Sequence, residues 1–227
     1  MSKTGKFYGI GIGPGDPELI TLKAINTLSR VDVVVAPVGK KDSIALKIAK
    51  PYIKTKVIKQ DFPMTYDKDT LKNQWDENVS EIKELLDMGL DVAFITLGDP
   101  MIYSTYSYII ARLQGVDIKT IPGITSFCAV ASRVNSSIAE GDMPFVVLTV
   151  KDAKSVEEVL NDFDSVVLMK VSRNYDDIVE VLKEKGFKAS LVIRCGQEGE
   201  EVIQDLEKYK GKKIDYLSLI VARREDR

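Results

Sequence analysis

At 227 residues the chain has room for one or two domains, and 44% hydrophobic against 29% charged residues supply enough apolar mass for a real core. Its 32 Lys+Arg and 34 Asp+Glu leave a net charge of -2, which offers no global basic field to hold nucleic acid. The complete lack of histidine removes His-based triads, imidazole metal sites and the usual near-neutral proton shuttle, and two cysteines, Cys128 and Cys195, are too few for a disulfide scaffold or a Cys-ligated zinc. Met1 to Lys6 leads into glycines rather than an apolar signal core, and no run approaches the ~18 apolar residues of a membrane span. A soluble cytoplasmic protein is expected, with no nucleic-acid or membrane partner and no metal site.

Phe7 to Ile12 reads as a strand ending in Gly13-Pro14-Gly15-Asp16-Pro17, where Asp16 can cap a helix and Pro17 fits its first turn. That helix carries Leu19, Leu22, Ile25 and Leu28 on one face and stops near Arg30. Val31 to Ala36 is a nearly continuous apolar run, the pattern of a parallel strand covered on both faces. A helix from about Ser43 to Lys50, a brief strand at Val57-Ile58 and a long helix from about Lys68 to Met88 follow, the last closed by Gly89. Asp91 to Leu97 is the next strand, and Gly98-Asp99-Pro100 is expected to open a helix running through Leu113. Ile118 to Ile121 is a strand ended by Pro122-Gly123, with a helix through Ala131.

The second half has a different texture. Phe145 to Val150, Ser165 to Lys170, Ala189 to Arg194 and Asp215 to Ala222 read as strands, with helices only at Val156 to Leu160 and Tyr175 to Lys185. A mixed sheet is expected there. The expected architecture is α/β. It comprises an N-terminal domain over 1–121 with a mostly parallel sheet, a linker region over 122–144, a C-terminal domain over 145–227, and a ligand cleft between the domains.

The glycine loop Gly9-Ile10-Gly11-Ile12-Gly13-Pro14-Gly15 fails the dinucleotide pattern, because Pro14 and Asp16 fall three places after Gly11 and Gly13. The second strand ends Val35-Ala36-Pro37 without the acidic residue that would hold a ribose, and no Lys-Ser/Thr pair completes a phosphate loop. The loop is either a tight strand-to-helix turn or the stiff wall of a pocket. Asp99 is a natural helix cap before Pro100; a capping carboxylate can still face a ligand. Thr125 and Ser126 present two hydroxyls at a helix start, where they cap the helix or bond a ligand. Phe62-Pro63-Met64-Thr65-Tyr66-Asp67 is a packed surface turn or a lip for a flat organic ligand.

Taken together, Tyr8 through Ala24, Gly98-Asp99-Pro100, Pro122-Gly123-Ile124-Thr125-Ser126 and Met169-Lys170 resemble the tetrapyrrole (corrin/porphyrin) methyltransferase family over essentially the whole chain. Phe62-Pro63-Met64-Thr65, Ala139-Glu140-Gly141-Asp142 and Met169 through Asn174 are similar to the branch that methylates carbon 20 of precorrin-2 or cobalt-precorrin-2 in cobalamin biosynthesis. The resemblance implies a tetrapyrrole methylase fold, a homodimer, and S-adenosylmethionine as methyl donor in the cleft. It implies cofactor contacts at Leu97, Gly98, Asp99, Ile102, Tyr103, Thr125, Ser126, Met169, Gly196 and Leu219. Pro14 and Gly15 match the loop at the mouth of the substrate trough, Met64 lies in the branch-specific loop, and Lys170 and Arg173 are candidates for holding substrate carboxylates. Relatives that methylate uroporphyrinogen carry an aspartate just after the second strand; Ala36-Pro37 stands there instead, so no general acid or base is carried over. Other readings are a diphthine synthase or ribosomal RNA methyltransferase of the same fold, and a non-catalytic protein that binds tetrapyrrole or S-adenosylmethionine.

Overall fold

A computed structural model describes residues 4–39, 43–62 and 67–224. The chain divides into two compact units, Met1–Thr125 and Ser126–Arg227.

The first unit is built on five strands: β1 (Phe7–Gly11), β2 (Val33–Val38), β3 (Lys56–Asp61), β4 (Val92–Thr96) and β5 (Ile118–Ile121). All pair in parallel, in the order β3-β2-β4-β1-β5. Four helices connect them: α1 (Leu22–Leu28), α2 (Ile44–Ala49), α3 (Lys68–Asp87) and α4 (Tyr106–Ile110). Side chains alternate across the sheet. Ile10, Val34, Ala36, Ala93 and Ile95 pack with Ala24, Leu28 and Ile48 from α1 and α2. Phe7, Val33, Val35, Val92 and Phe94 pack with Ile82, Leu86, Tyr106 and Ile109 from α3 and α4. Burial on both faces is why the inner strands β2 and β4 read as unbroken apolar runs.

Two local expectations change. Asp16 caps only a single 3-10 turn, Pro17–Leu19, by accepting from the Glu18 N–H at 2.9 Å. Ile20 is extended, and α1 starts afresh with Thr21 accepting from Ala24 N–H at 3.2 Å. Strand β2 begins two residues late, at Val33, and runs through Pro37. Pro37 is tolerated because β2 there pairs only with β3, so one edge needs no donor from it.

The second unit holds β6 (Val146–Thr149), β7 (Ser165–Met169), β8 (Phe187–Ile193), β9 (Glu201–Ile203) and β10 (Ser218–Arg224) in the order β6-β7-β10-β8-β9. Only β6 and β7 are parallel, so the sheet is mixed. Helices α6 (Ala153–Asp162) and α7 (Tyr175–Glu184) cover one face, where Val156, Leu160, Ile178 and Leu182 meet Leu168, Leu191 and Ile220. Helix α5 (Ser126–Arg133) lies against β10. The segment 122–144, expected as a linker, therefore contains a helix of the second unit, anchored by buried Ala129 and Val130. Beyond it, Ser165 Oγ donates to Ile138 O at 2.5 Å and Arg223 forms a two-pronged bond to Glu140 at 2.7 and 3.1 Å.

Candidate functional site

The strand order of the first unit places β1 between β4 and β5. The chain leaves β1 for β2 and β3 on one side, returns through β4, and crosses to β5 on the other. In open parallel sheets, loops diverge at the carboxyl ends of strands beside such a reversal, and ligands bind there. Here the three loops are pulled together. Ile12 N–H donates to Thr96 O at 2.9 Å, and Gly13 and Gly98 exchange both backbone bonds, at 2.7 and 3.3 Å. Gly13 (φ 80°) and Gly98 (φ 71°) sit in the left-handed region, which glycine enters without a Cβ penalty. Gly123, after β5, approaches so closely that a Cβ added to Gly11 would stand 2.5 Å from its nitrogen and 2.7 Å from Gly98 O.

Asp99 fastens this convergence. One carboxylate oxygen accepts from Met101 N–H at 2.8 Å, closing a turn on its own loop; the other accepts from Gly123 N–H at 3.0 Å, crossing to the β5 loop. The expected cap of a helix through Leu113 is therefore a clamp between loops, and α4 does not begin until Tyr106. The reason is local. Tyr103 is left-handed at φ 47°, and the Ser104 hydroxyl is engaged by Thr96 Oγ1 at 2.9 Å and by Tyr106 N–H at 3.2 Å. Side-chain bonds of this kind compete with helical ones. The resulting loop leaves Met101, Ile102 and Tyr103 exposed in succession.

Thr125 directly precedes α5, yet its Oγ1 is buried and bonded to no other group. Buried hydroxyls in native proteins are nearly always paired. An orphan hydroxyl beside a glycine-lined cradle suits a small polar ligand. The Gly98 position is open as well, since an added Cβ would meet nothing nearer than Ile124 O at 4.0 Å. These features fit a ligand that carries polar groups, as S-adenosylmethionine does. Pro14 and Gly15 are buried in the β1 loop next to the convergence. Met64 lies outside the described residues.

In the second unit, β7 and β8 end where antiparallel β10 begins, which gathers Met169, Lys170, Arg173, Gly196 and Leu219 at one end of the sheet. Met169 and buried Leu219 are register partners. Lys170 is left-handed at φ 60°, and its neighbouring turn, Val171–Arg173, is tied to the end of β6 by Asn174 Nδ2 donating to Lys151 O at 2.7 Å. Gly196 (φ 72°) donates its N–H to Glu200 at 2.5 Å, and Glu200 also pairs with Arg133 of α5 at 2.8 Å. Ser126 opens α5. Among the described residues no three Cys, Asp or Glu side chains converge to hold a metal ion. Sequence reasoning missed the Thr96–Ser104 bond and the Gly11–Gly123 approach, because neither leaves a periodic signal.

The family model of the tetrapyrrole (corrin/porphyrin) methylases matches residues 6–208. This chain belongs to the tetrapyrrole methylase family. It is 39% identical over 227 residues to a probable cobalt-precorrin-2 C(20)-methyltransferase of Methanocaldococcus jannaschii, covering 96% of each chain. It is 35% identical over 188 residues to the cobalt-precorrin-2 C(20)-methyltransferase of Salmonella typhimurium, covering 80% of this chain and 79% of the relative. Its fold is that of tetrapyrrole methylases of known structure. The uroporphyrin-III C-methyl transferase of Thermus thermophilus complexed with S-adenosylhomocysteine superposes with a TM-score of 0.68 at 17% identity, covering 96% and 97% of the two chains. The tetrapyrrole methylase fold thus accounts for both sheets, the parallel and the mixed.

Proposed function

We propose that this protein transfers a methyl group from S-adenosylmethionine to carbon 20 of precorrin-2 or cobalt-precorrin-2 in cobalamin biosynthesis. The observation that carries the reading is the 39% identity to a probable cobalt-precorrin-2 C(20)-methyltransferase across nearly the full length of both chains. The bound donor supplies an electrophilic methyl on a positively charged sulfur, and the electron-rich ring carbon supplies the nucleophile.

The protein's task is then chiefly orientation, which for a well-placed pair reaches effective molarities of ~10⁵–10⁸ M. In the first unit Leu97, Gly98, Asp99, Ile102 and Tyr103 contact the donor. Gly98 offers backbone polar groups, Asp99 holds the loop in shape, and the Thr125 hydroxyl finds its missing partner on the ligand. In the second unit Ser126 and Gly196 add polar backbone and hydroxyl groups, while Met169 and Leu219 give an apolar wall. A weakly polar surround favours a step in which the sulfonium charge disperses. Pro14, Gly15, Lys170 and Arg173 contact the tetrapyrrole, the two cations holding its carboxylates. No side chain is assigned as general acid or base. The homodimer we propose follows from the family resemblance.

Mixing the purified protein with S-adenosylmethionine and either tetrapyrrole should yield a product heavier by one methyl, together with S-adenosylhomocysteine. Mass spectrometry that finds no methylated product from either substrate rejects the proposal. Comparing turnover of the two identifies the preferred state of the ring.

A further inference from the structure

Thr125 shares one property with a residue that the sequence did not single out. Thr149, the last residue of β6, also has a buried Oγ1 with no hydrogen-bond partner. These are the only two hydroxyls in that condition among the described residues.

The position of Thr149 is defined by the sheet. It is in register with Met169 of β7, which pairs with Leu219 of β10, which in turn pairs with Val192 of β8. Residues in register across neighbouring strands point to one face. The residues alternating with this row, including Leu148, Leu168, Ile220 and Leu191, point the other way into the core beneath α6 and α7. Thr149 is therefore the one hydroxyl in an otherwise apolar row, in line with two residues proposed to contact the donor, Met169 and Leu219. Its backbone is fixed, because Val150 N–H donates to Met169 O at 2.9 Å. A hydroxyl at this place gives the core nothing that valine would not give better. Left unpaired it costs free energy, and a bound polar group would recover that cost.

We infer that Thr149 is a further donor-positioning residue, whose hydroxyl hydrogen-bonds the adenosyl end of S-adenosylmethionine beside Met169 and Leu219. The inference rests on the proposed methyltransferase reading and adds a contact to it. It concerns binding and orientation of the donor; Thr149 takes no part in bond making.

The test is calorimetric titration of S-adenosylhomocysteine into wild type, Thr149→Val and Thr149→Ser, alongside thermal unfolding without ligand. One net hydrogen bond is worth about a two- to tenfold change in affinity, so the valine variant should bind about that much more weakly and the serine variant within about twofold of wild type. The ligand-free valine variant should unfold at the wild-type temperature or above, since it loses an orphan group; a purely structural hydroxyl would give a lower one. Methylthioadenosine, which lacks the amino-acid moiety, should show the same loss. Valine-variant affinity equal to wild type, or a loss confined to S-adenosylhomocysteine, overturns the inference while leaving the methyltransferase reading intact. Failure of the wild type itself to bind any of these ligands overturns both.

Discussion

Gly123→Ala is the sharpest test of the three-loop convergence. A methyl at Gly123 would overlap the Gly98 carbonyl oxygen and stand 2.9 Å from both Cα and the carbonyl carbon of Gly11. All three atoms are backbone, two at the end of β1 and one in a loop locked by the paired Gly13–Gly98 bonds, so no flexible side chain can move aside. Gly123 does not have a positive φ, so the penalty is contact alone. Forcing a methyl into packed structure costs about 1–3 kcal/mol, and displacement of the loop also strains the Asp99–Gly123 hydrogen bond. For a chain of this size each kcal/mol lowers the unfolding temperature by about 2–4 °C, giving a drop of roughly 2–12 °C.

Gly98→Ala provides the matched control. Its Cβ would have open space, with only Ile124 O at 4.0 Å, but φ is 71°. That substitution should cost about 1 kcal/mol of left-handed strain and leave the loops in place. Differential scanning calorimetry of both variants, with titration of S-adenosylhomocysteine, separates the effects. Gly123→Ala should lose more stability than Gly98→Ala, whose methyl enters the open space proposed for the ligand and so weakens S-adenosylhomocysteine binding directly. The reverse order, or a Gly123→Ala protein that unfolds like wild type, would refute the claim that backbone contact among residues 11, 98 and 123 shapes the site.

Asp99→Asn keeps one acceptor oxygen but points an amide at one of the two N–H groups that Asp99 now serves. It should cost about 1–3 kcal/mol in denaturant unfolding and weaken S-adenosylhomocysteine binding in calorimetry. Lys170→Gly removes left-handed strain at φ 60° together with the ammonium. It should raise stability by about 0.5–1 kcal/mol while raising KM for the tetrapyrrole, with S-adenosylhomocysteine affinity unchanged in titration. Burial pushes the Tyr175 phenol well above its ordinary range and raises that of Tyr106. Their folded-state values lie above the unfolded value of about 10, so their contribution is complete below that pH and declines as pH rises past it. Urea midpoints measured from pH 8 to about 11 should fall at the alkaline end. Tyr175→Phe, which leaves Leu206 O without its 2.9 Å donor, should be about 0.5–1.5 kcal/mol less stable at pH 8 but lose less on going alkaline.

The elements that a single sequence reveals are those whose own side chains repeat with a structural period. Strands β2 and β4 are almost wholly apolar because helices cover both faces, and α3 announces itself by length and by the Gly89 stop. Strand β9, three residues of mostly exposed side chains at the sheet edge, carries no such period and went unread. The stretch after β4 misled for a related reason. Gly98-Asp99-Pro100 followed by apolar residues has the composition of a helix start, but one of the two groups that Asp99 bonds lies 24 residues away at Gly123. No local pattern encodes that partner.

The same distinction divides the candidate site. Its motifs were legible as glycines, hydroxyls and a carboxylate at strand ends, because tight turns need those residue types wherever they occur. What makes them a site is the order in which the strands lie side by side. Residues near 11, 98 and 123 meet because β1 is flanked by β4 and β5, and Thr149 stands beside Met169 because β6 pairs with β7. Pairing of this kind sets which side chains share a face, and moving a strand by one residue would turn Thr149 toward the core and Leu148 away from it. A hydroxyl held on the apolar row by that register, at the cost of an unmade hydrogen bond, is more informative than a conserved-looking motif would be, since packing alone would favour valine in its place.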